Sequence, residues 1–218
     1  TTAFIGSTGS GKSTLISLVP RLYDVTEGKV TIDGVDVRNI TKESLRRQIG
    51  YVPQKAVLFS GTVRENMQLR KKDASDEEII AALKTAQAWE FVSKLTNGLD
   101  TAISQGGKNL SGGQKQRISI ARALVGNPDI LILDDSSSAL DYATDLALRR
   151  AIASDMPDTT VIMISQRTTS LMDADNIVVM EDGQAVGIGT HAELLENCEV
   201  YSEIYRSQMN EKEDGANA

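Results

Sequence analysis

Cysteine and histidine are almost missing from this sequence: Cys198 and His191 stand alone in 218 residues. A single cysteine cannot close an internal disulfide, which excludes a stapled secreted scaffold. One histidine and one cysteine cannot build a His/Cys zinc site. Positive charge is also short, with 23 Lys and Arg against 30 Asp and Glu and a formal charge of −7. That balance argues against a nucleic-acid partner, whose binders usually carry a basic face. No apolar run approaches the roughly 20 residues that span a bilayer, and no secretory signal pattern opens the chain. An initiator Met is lacking too, and the strand-like Thr1-Thr2-Ala3-Phe4-Ile5 runs straight into Gly6. We read this as a fragment of something longer, with upstream sequence missing.

What is present reads as an α/β protein of one domain, or of a domain with a subdomain. Strand-like runs occur at Ala3–Ile5, Lys29–Ile32, Ile49–Val52, Ile130–Leu133, Thr160–Ile164, Ile177–Met180 and Ala185–Ile188. Helical patterns alternate with most of them, which predicts a sheet covered by helices. Asp33-Gly34 and Asp182-Gly183 read as hairpin turns, so the sheet should be mixed. Residues 73–126 differ. Ser75 and Glu78 form a capping-box pattern, Ile79, Ile80, Leu83 and Ala86 follow on one helical face, and more helix is expected around Ala88–Leu95. A further amphipathic helix carries Ile118, Ala121, Leu124 and Val125. The expected organisation is a core of residues 1–72 and 127–209, a helical insertion over 73–126, and a polar, disordered tail over 210–218.

Gly6-Ser7-Thr8-Gly9-Ser10-Gly11-Lys12-Ser13 fits G-x-x-x-x-G-K-[ST] at every fixed position. It follows a strand and opens a helix expected over Thr14–Leu22, the context this phosphate loop requires. Glycines let the backbone wrap closely around phosphates, and successive N–H groups at a helix N-terminus supply partial positive charge. Lys12 adds a full charge at the β and γ phosphates, and Ser13 offers a hydroxyl to Mg²⁺. Ser7, Thr8, Ser10 and Thr14 complete the expected nucleotide contacts. Ile130-Leu131-Ile132-Leu133-Asp134 is an apolar strand ending in a carboxylate, which suits a second Mg²⁺ ligand.

Leu110-Ser111-Gly112-Gly113-Gln114, twenty residues before Asp134, resembles the signature of the ATP-binding cassette (ABC) family. The resemblance covers nearly the whole chain. Gln54, in Tyr51-Val52-Pro53-Gln54, resembles the Q-loop glutamine, which implies a catalytic and Mg²⁺-coordinating role. Ser138-Ala139-Leu140-Asp141 resembles the D-loop, and implies that Asp141 contacts nucleotide. Leu58-Phe59-Ser60-Gly61-Thr62-Val63-Arg64-Glu65-Asn66 resembles the segment after the Q-loop in exporter-type cassettes, and Gly189–Leu195 the closing helix pattern. The family implies a P-loop NTPase mixed-sheet core with an inserted helical subdomain, its first strands and adenine-stacking aromatic lying upstream of Thr1. It implies ATP and Mg²⁺ as cofactors, two ATPs sandwiched head to tail with a second cassette, and transmembrane domains upstream or on another chain. The implied location is the cytoplasmic face of the cell membrane. Independently of the family, Ser111 before two glycines at a helix start can present a hydroxyl and N–H groups to an anion, or simply cap the helix.

Two positions depart from the family pattern. The residue after Asp134 is usually Glu, the general base; here it is Asp135. Asp is one methylene shorter, which withdraws its carboxylate by roughly 1.5 Å, and a positioned base contributes about 10²–10⁴-fold. The family's switch histidine is replaced by Gln166, which donates a hydrogen bond but carries no charge and shuttles no proton. The pair resembles the degenerate half of heterodimeric bacterial exporters, in which Ser111–Gln114 would complete the partner's active site. In the other reading, Asp135 is a slow base in an ordinary homodimer. A soluble cassette acting on nucleic acid or ribosomes, or a nucleotide-gated dimerisation module, are further alternatives.

Bland roles are expected elsewhere. Thr190 and Glu193 put His191 at the first position of a capped helix, exposed or capping. Cys198 reads as a bystander thiol, Trp89 as subdomain packing, and Tyr201, Ile204, Tyr205 and Met209 as a packing stripe.

Overall fold

The computed structural model describes the backbone of residues 1–216 and the side chains of residues 1–210. Its strands are β1 (Thr2–Ile5), β2 (Thr31–Ile32), β3 (Val35–Asp36), β4 (Ile49–Val52), β5 (Gly61–Thr62), β6 (Ala102–Ile103), β7 (Ile130–Asp134), β8 (Thr160–Ile164), β9 (Asn176–Glu181) and β10 (Gln184–Gly189). Its α-helices are α1 (Lys12–Ser17), α2 (Lys42–Gln48), α3 (Val63–Gln68), α4 (Asp76–Thr85), α5 (Trp89–Val92), α6 (Gly112–Leu124), α7 (Tyr142–Asp155), α8 (His191–Asn197) and α9 (Glu199–Ala216). The chain forms two compact units, one of Thr1–Arg46 with Val161–Ala218 and one of Arg47–Thr160.

In the first unit β1 lies between β8 and β9, parallel to both, and β10 runs antiparallel along β9. Ala3, Ile5, Ile177 and Val179 alternate inward along paired strands and are at most 1% exposed. That is the period-2 pattern of a sheet face set against a core. Both Asp-Gly hairpins form as expected. Asp33 and Gly34 have φ of 50° and 80°, and Asp182 and Gly183 have 46° and 79°. Two positive φ values in succession define the type I′ turn, whose twist matches that of the strands it joins.

The first helix is shorter than its pattern suggested, ending at Ser17 rather than Leu22. Leu18, Val19 and Arg21 continue only as turns, donating to the carbonyls three residues back. Pro20 has no N–H to give and biases Val19 away from helix. At the other end α9 continues through Ala216, so the backbone of 210–216 is helical where a disordered tail was expected; 217–218 lie outside the described residues.

In the second unit β4 and β7 are parallel, with Ile49, Gly50, Tyr51 and Val52 opposite Ile130, Leu131, Ile132 and Leu133. Every residue of β7 is buried, as its unbroken apolar run implies. Helices α4 and α6 pack on one another, and on them Ile79, Leu83, Ile118 and Leu124 are all at most 2% exposed. Gly50 brings β4 close to α6, since a Cβ there would lie 2.5 Å from the Ala123 carbonyl oxygen. The Ser75–Glu78 capping box starts α4 as expected.

Candidate functional site

The phosphate loop hangs between β1 and α1. Gly6, Gly9 and Gly11 take φ of 153°, 87° and 90°, values that L side chains rarely adopt. At Gly6 space is also short, because a Cβ would sit 2.0 Å from the Met180 carbonyl oxygen. The loop is braced against the β9–β10 hairpin by Gly183 N–H donating to the Ser10 carbonyl at 3.3 Å. Lys12 is 8% exposed. Its ammonium donates to Gly6 O at 2.9 Å, Ser7 O at 2.7 Å and Ser10 Oγ at 2.9 Å. The loop therefore holds a buried cation between two backbone carbonyls and a hydroxyl, and that cation in a glycine-rich loop suits a polyphosphate. Ser13 follows at the start of α1, and Thr14 lies one residue on, inside the helix rather than at its start.

In the second unit, Asp134 ends β7 and Asp135 follows it, each 6% exposed. Asp135 has φ of 47°, an uncommon left-handed conformation for a non-glycine residue. Its carbonyl is held by Ser138, whose Oγ donates at 2.9 Å and whose N–H donates at 3.3 Å. Gln54 donates from Nε2 to Asp135 Oδ2 at 3.0 Å, so the expected catalytic glutamine and carboxylate meet. This leaves the amide's Oε1, a neutral acceptor, as the atom suited to a cation.

One residue of this cluster was not anticipated from sequence. Tyr51 donates its hydroxyl to Asp134 Oδ2 at 3.1 Å. The register pairs Tyr51 with Ile132, two residues before Asp134, so the carboxylate is the diagonal same-face neighbour that a long side chain can reach. Burial, reinforced by the Asp134 charge, pushes the Tyr51 phenol up to about 12, which keeps it a donor.

The signature segment also lies in this unit. Ser111 caps α6: its Oγ accepts from Gln114 N–H at 3.3 Å, and Gln114 Oε1 accepts from Ser111 N–H at 2.9 Å. The capping role of Ser111 is thus present, and its hydroxyl proton remains able to donate. Gly112 has open space around it, whereas a Cβ at Gly113 would lie 3.3 Å from the Ala139 carbonyl oxygen, so the signature abuts the D-loop. Asp141 caps α7. It accepts from Thr144 N–H at 2.9 Å and Thr144 Oγ1 at 2.8 Å, which hold its carboxyl below the usual carboxylate range. Arg117 fastens α6 to its neighbours, donating to Gly113 O at 3.3 Å and Gln87 O at 2.8 Å with its guanidinium 4.8 Å from the Phe91 ring centre.

Gln166 belongs to the first unit, on the turn that leaves β8, and its side chain is exposed. The remaining residues behave largely as ordinary structure. His191 starts α8 behind the Thr190–Glu193 capping box. It is half-buried rather than exposed, its Nδ1 lying 2.7 Å from Tyr201 Oη, with edge contacts to Tyr201 and Tyr205. Tyr201 is fully buried, as its stripe implied, and Cys198 is buried at the end of α8.

Comparison with known proteins agrees with these features. The ABC transporter family matches residues 1–138. An uncharacterised ABC transporter ATP-binding protein, YfiB, of Bacillus subtilis (strain 168) is 53% identical over 209 residues, 96% of this chain and 36% of that protein. A protein of Staphylococcus aureus (strain NCTC 8325 / PS 47), named as a candidate multidrug export ATP-binding/permease protein, is 46% identical over 95% of this chain and 36% of its own length. A solved structure of a bacterial Atm1-family ABC exporter with ATP bound superposes with a TM-score of 0.91 at 39% identity, over 95% of this chain and 36% of that one. The chain thus spans about a third of the length of the curated relatives it matches. With matched family, shared α/β mixed-sheet fold and phosphate loop in agreement, the chain belongs to the ABC transporter family.

Proposed function

We propose that this cassette binds Mg-ATP, hydrolyses it slowly at its own site, and powers an exporter-type membrane transporter as the degenerate half of a heterodimer. The observation that carries this reading is a contrast. The phosphate loop is complete, with Lys12 enclosed by loop oxygens, while the general-base position holds Asp135 and the switch position, which meets the γ-phosphate, holds the uncharged Gln166. The phosphate loop keeps the family pattern, and both departures fall where the γ-phosphate and the attacking water are handled.

Gly6 through Thr14 serve the phosphates, with Lys12 as counter-charge and Ser13 for Mg²⁺. Asp134 and Gln54 serve Mg²⁺, and Asp135 is a shortened base. Mg²⁺, when bound, would neutralise charge on the β and γ oxygens. Ser111, Gly112, Gly113, Gln114 and Asp141 act toward the ATP of a second cassette, from the helical segment 73–126 and the D-loop. ATP binding closes the pair and hydrolysis reopens it, a two-state change delivered to transmembrane domains. The multidrug-export name of the S. aureus relative, and its greater length, support such domains as partners at the cytoplasmic face of a membrane. Among the described residues no helix is long and apolar enough to cross one.

The test is restoration. Asp135→Glu combined with Gln166→His should raise single-turnover hydrolysis at this site by at least about tenfold, the lower part of the range for a positioned base. An unchanged rate would put the impairment elsewhere and remove the basis for a degenerate site.

A further inference from the structure

Gln208 lies on α9, seven residues beyond the buried Tyr201 and so on the same helical stripe. Its side chain makes three hydrogen bonds to the turn that follows β8. Oε1 accepts from Thr168 N–H at 2.9 Å and from Thr168 Oγ1 at 2.9 Å, and Nε2 donates to the Gln166 carbonyl at 2.6 Å. The orientation of the amide follows from its partners. Turned over, it would set an NH₂ against the Thr168 N–H and an oxygen against a carbonyl. Thr168 is fully buried, so its N–H and hydroxyl need partners from the protein. On its other side the turn is tied to β1, where Ser165 N–H donates to the Phe4 carbonyl at 3.3 Å. Ser165 Oγ in turn accepts from Arg167 N–H at 3.0 Å.

We propose that Gln208 is a positioning residue for nucleotide sensing. By holding the backbone on both sides of Arg167, it fixes the point from which the Gln166 side chain reaches toward the γ-phosphate. The proposal rests on the reading of Gln166 as the residue that meets that phosphate. A side chain on a fixed Cα loses less freedom when it makes its contact than one on a mobile turn. The clamp has two chemically separable halves. Only an amide can accept from Thr168 and also donate to Gln166. Glu keeps both acceptors but turns an oxygen toward the Gln166 carbonyl, and Ala removes both halves.

The test uses the full natural chain that carries these residues, with Mg²⁺, and reads ATP and ADP affinity by displacement of a fluorescent nucleotide. Gln208→Ala and Gln208→Glu should each weaken ATP relative to ADP by about three- to tenfold, the range for losing one or two hydrogen bonds. ADP affinity should stay at the wild-type value. Gln166→Ala should lower the same ratio at least as far, and the double variant Gln166→Ala/Gln208→Ala no further, because the two act through one contact. Should the alanine variant fold poorly, the glutamate variant retains the two Thr168 bonds and still decides. A Gln208 variant that keeps the wild-type ratio while Gln166→Ala lowers it would overturn the proposal and leave the Gln166 reading standing. An equal loss of ATP and ADP affinity would also overturn it, as the mark of a purely structural role. If Gln166→Ala itself leaves the ratio unchanged, the Gln166 reading fails and this proposal falls with it.

Discussion

Asp134 and Asp135 are adjacent in sequence but are held by different partners, Tyr51 and Gln54, both from the strand and turn of β4. Under the proposed roles, the metal-side carboxylate, Asp134, is held by a phenol and the water-side carboxylate, Asp135, by an amide. Removing the phenol should act on the metal. Tyr51→Phe keeps the ring but takes away the donor that orients Asp134, and such partners of metal ligands commonly cost 10–100-fold in metal affinity when lost. We expect the Mg²⁺ concentration for half-maximal ATP binding to rise by about tenfold, measured by titrating Mg²⁺ at fixed nucleotide. An unchanged midpoint would make the Tyr51 bond incidental. The phosphate loop was legible in sequence because its chemistry is local and its glycine spacing rigid. Tyr51 was not, because its partner is set by the β4–β7 register, which no local pattern records. Gln208 left a faint trace: it is a polar residue on a stripe otherwise marked by Tyr201, Ile204 and Tyr205.

At the scale of elements, capping chemistry and turn chemistry account for most boundaries. The capping boxes at Ser75, Ser111 and Thr190 start α4, α6 and α8, each visible as a hydroxyl residue followed three positions on by Glu or Gln. Ser75→Ala should therefore cost about 1 kcal/mol, seen as a fall in thermal midpoint, while nucleotide binding stays unchanged. A midpoint at the wild-type value would mean that packing alone fixes α4. Close approach is a second constraint. Gly50→Ala would drive a methyl into the Ala123 carbonyl, and should cost about 1–3 kcal/mol, the usual scale of overpacking. Chemical denaturation of the variant would measure it, and a cost near zero would show that β4 and α6 can part freely. The ends of α1 and α9 were less legible. Pro20 cuts the first short despite an apolar run, while α9 goes on into a polar stretch whose Glu and Lys residues are good helix formers.

For the molecule as a whole, the proposed function separates holding a nucleotide from consuming it. As proposed, Lys12 and its loop hold this cassette's own ATP, whereas Ser111, at the head of α6, serves an ATP held elsewhere. The α/β class and the mixed sheet were legible from alternating runs and the Asp182-Gly183 turn, whereas the Asp33-Gly34 turn joins β2 and β3 into a separate two-stranded sheet. The two compact units were not, since they cut across the linear segments and group β4 and β7 with the inserted helices. The central claim is most directly tested by steady-state ATP turnover of this chain assembled with its natural partner cassette, comparing Lys12→Ala with Ser111→Ala. Ser111→Ala should remove most of the turnover and Lys12→Ala much less. An equal or larger loss with Lys12→Ala would contradict that claim.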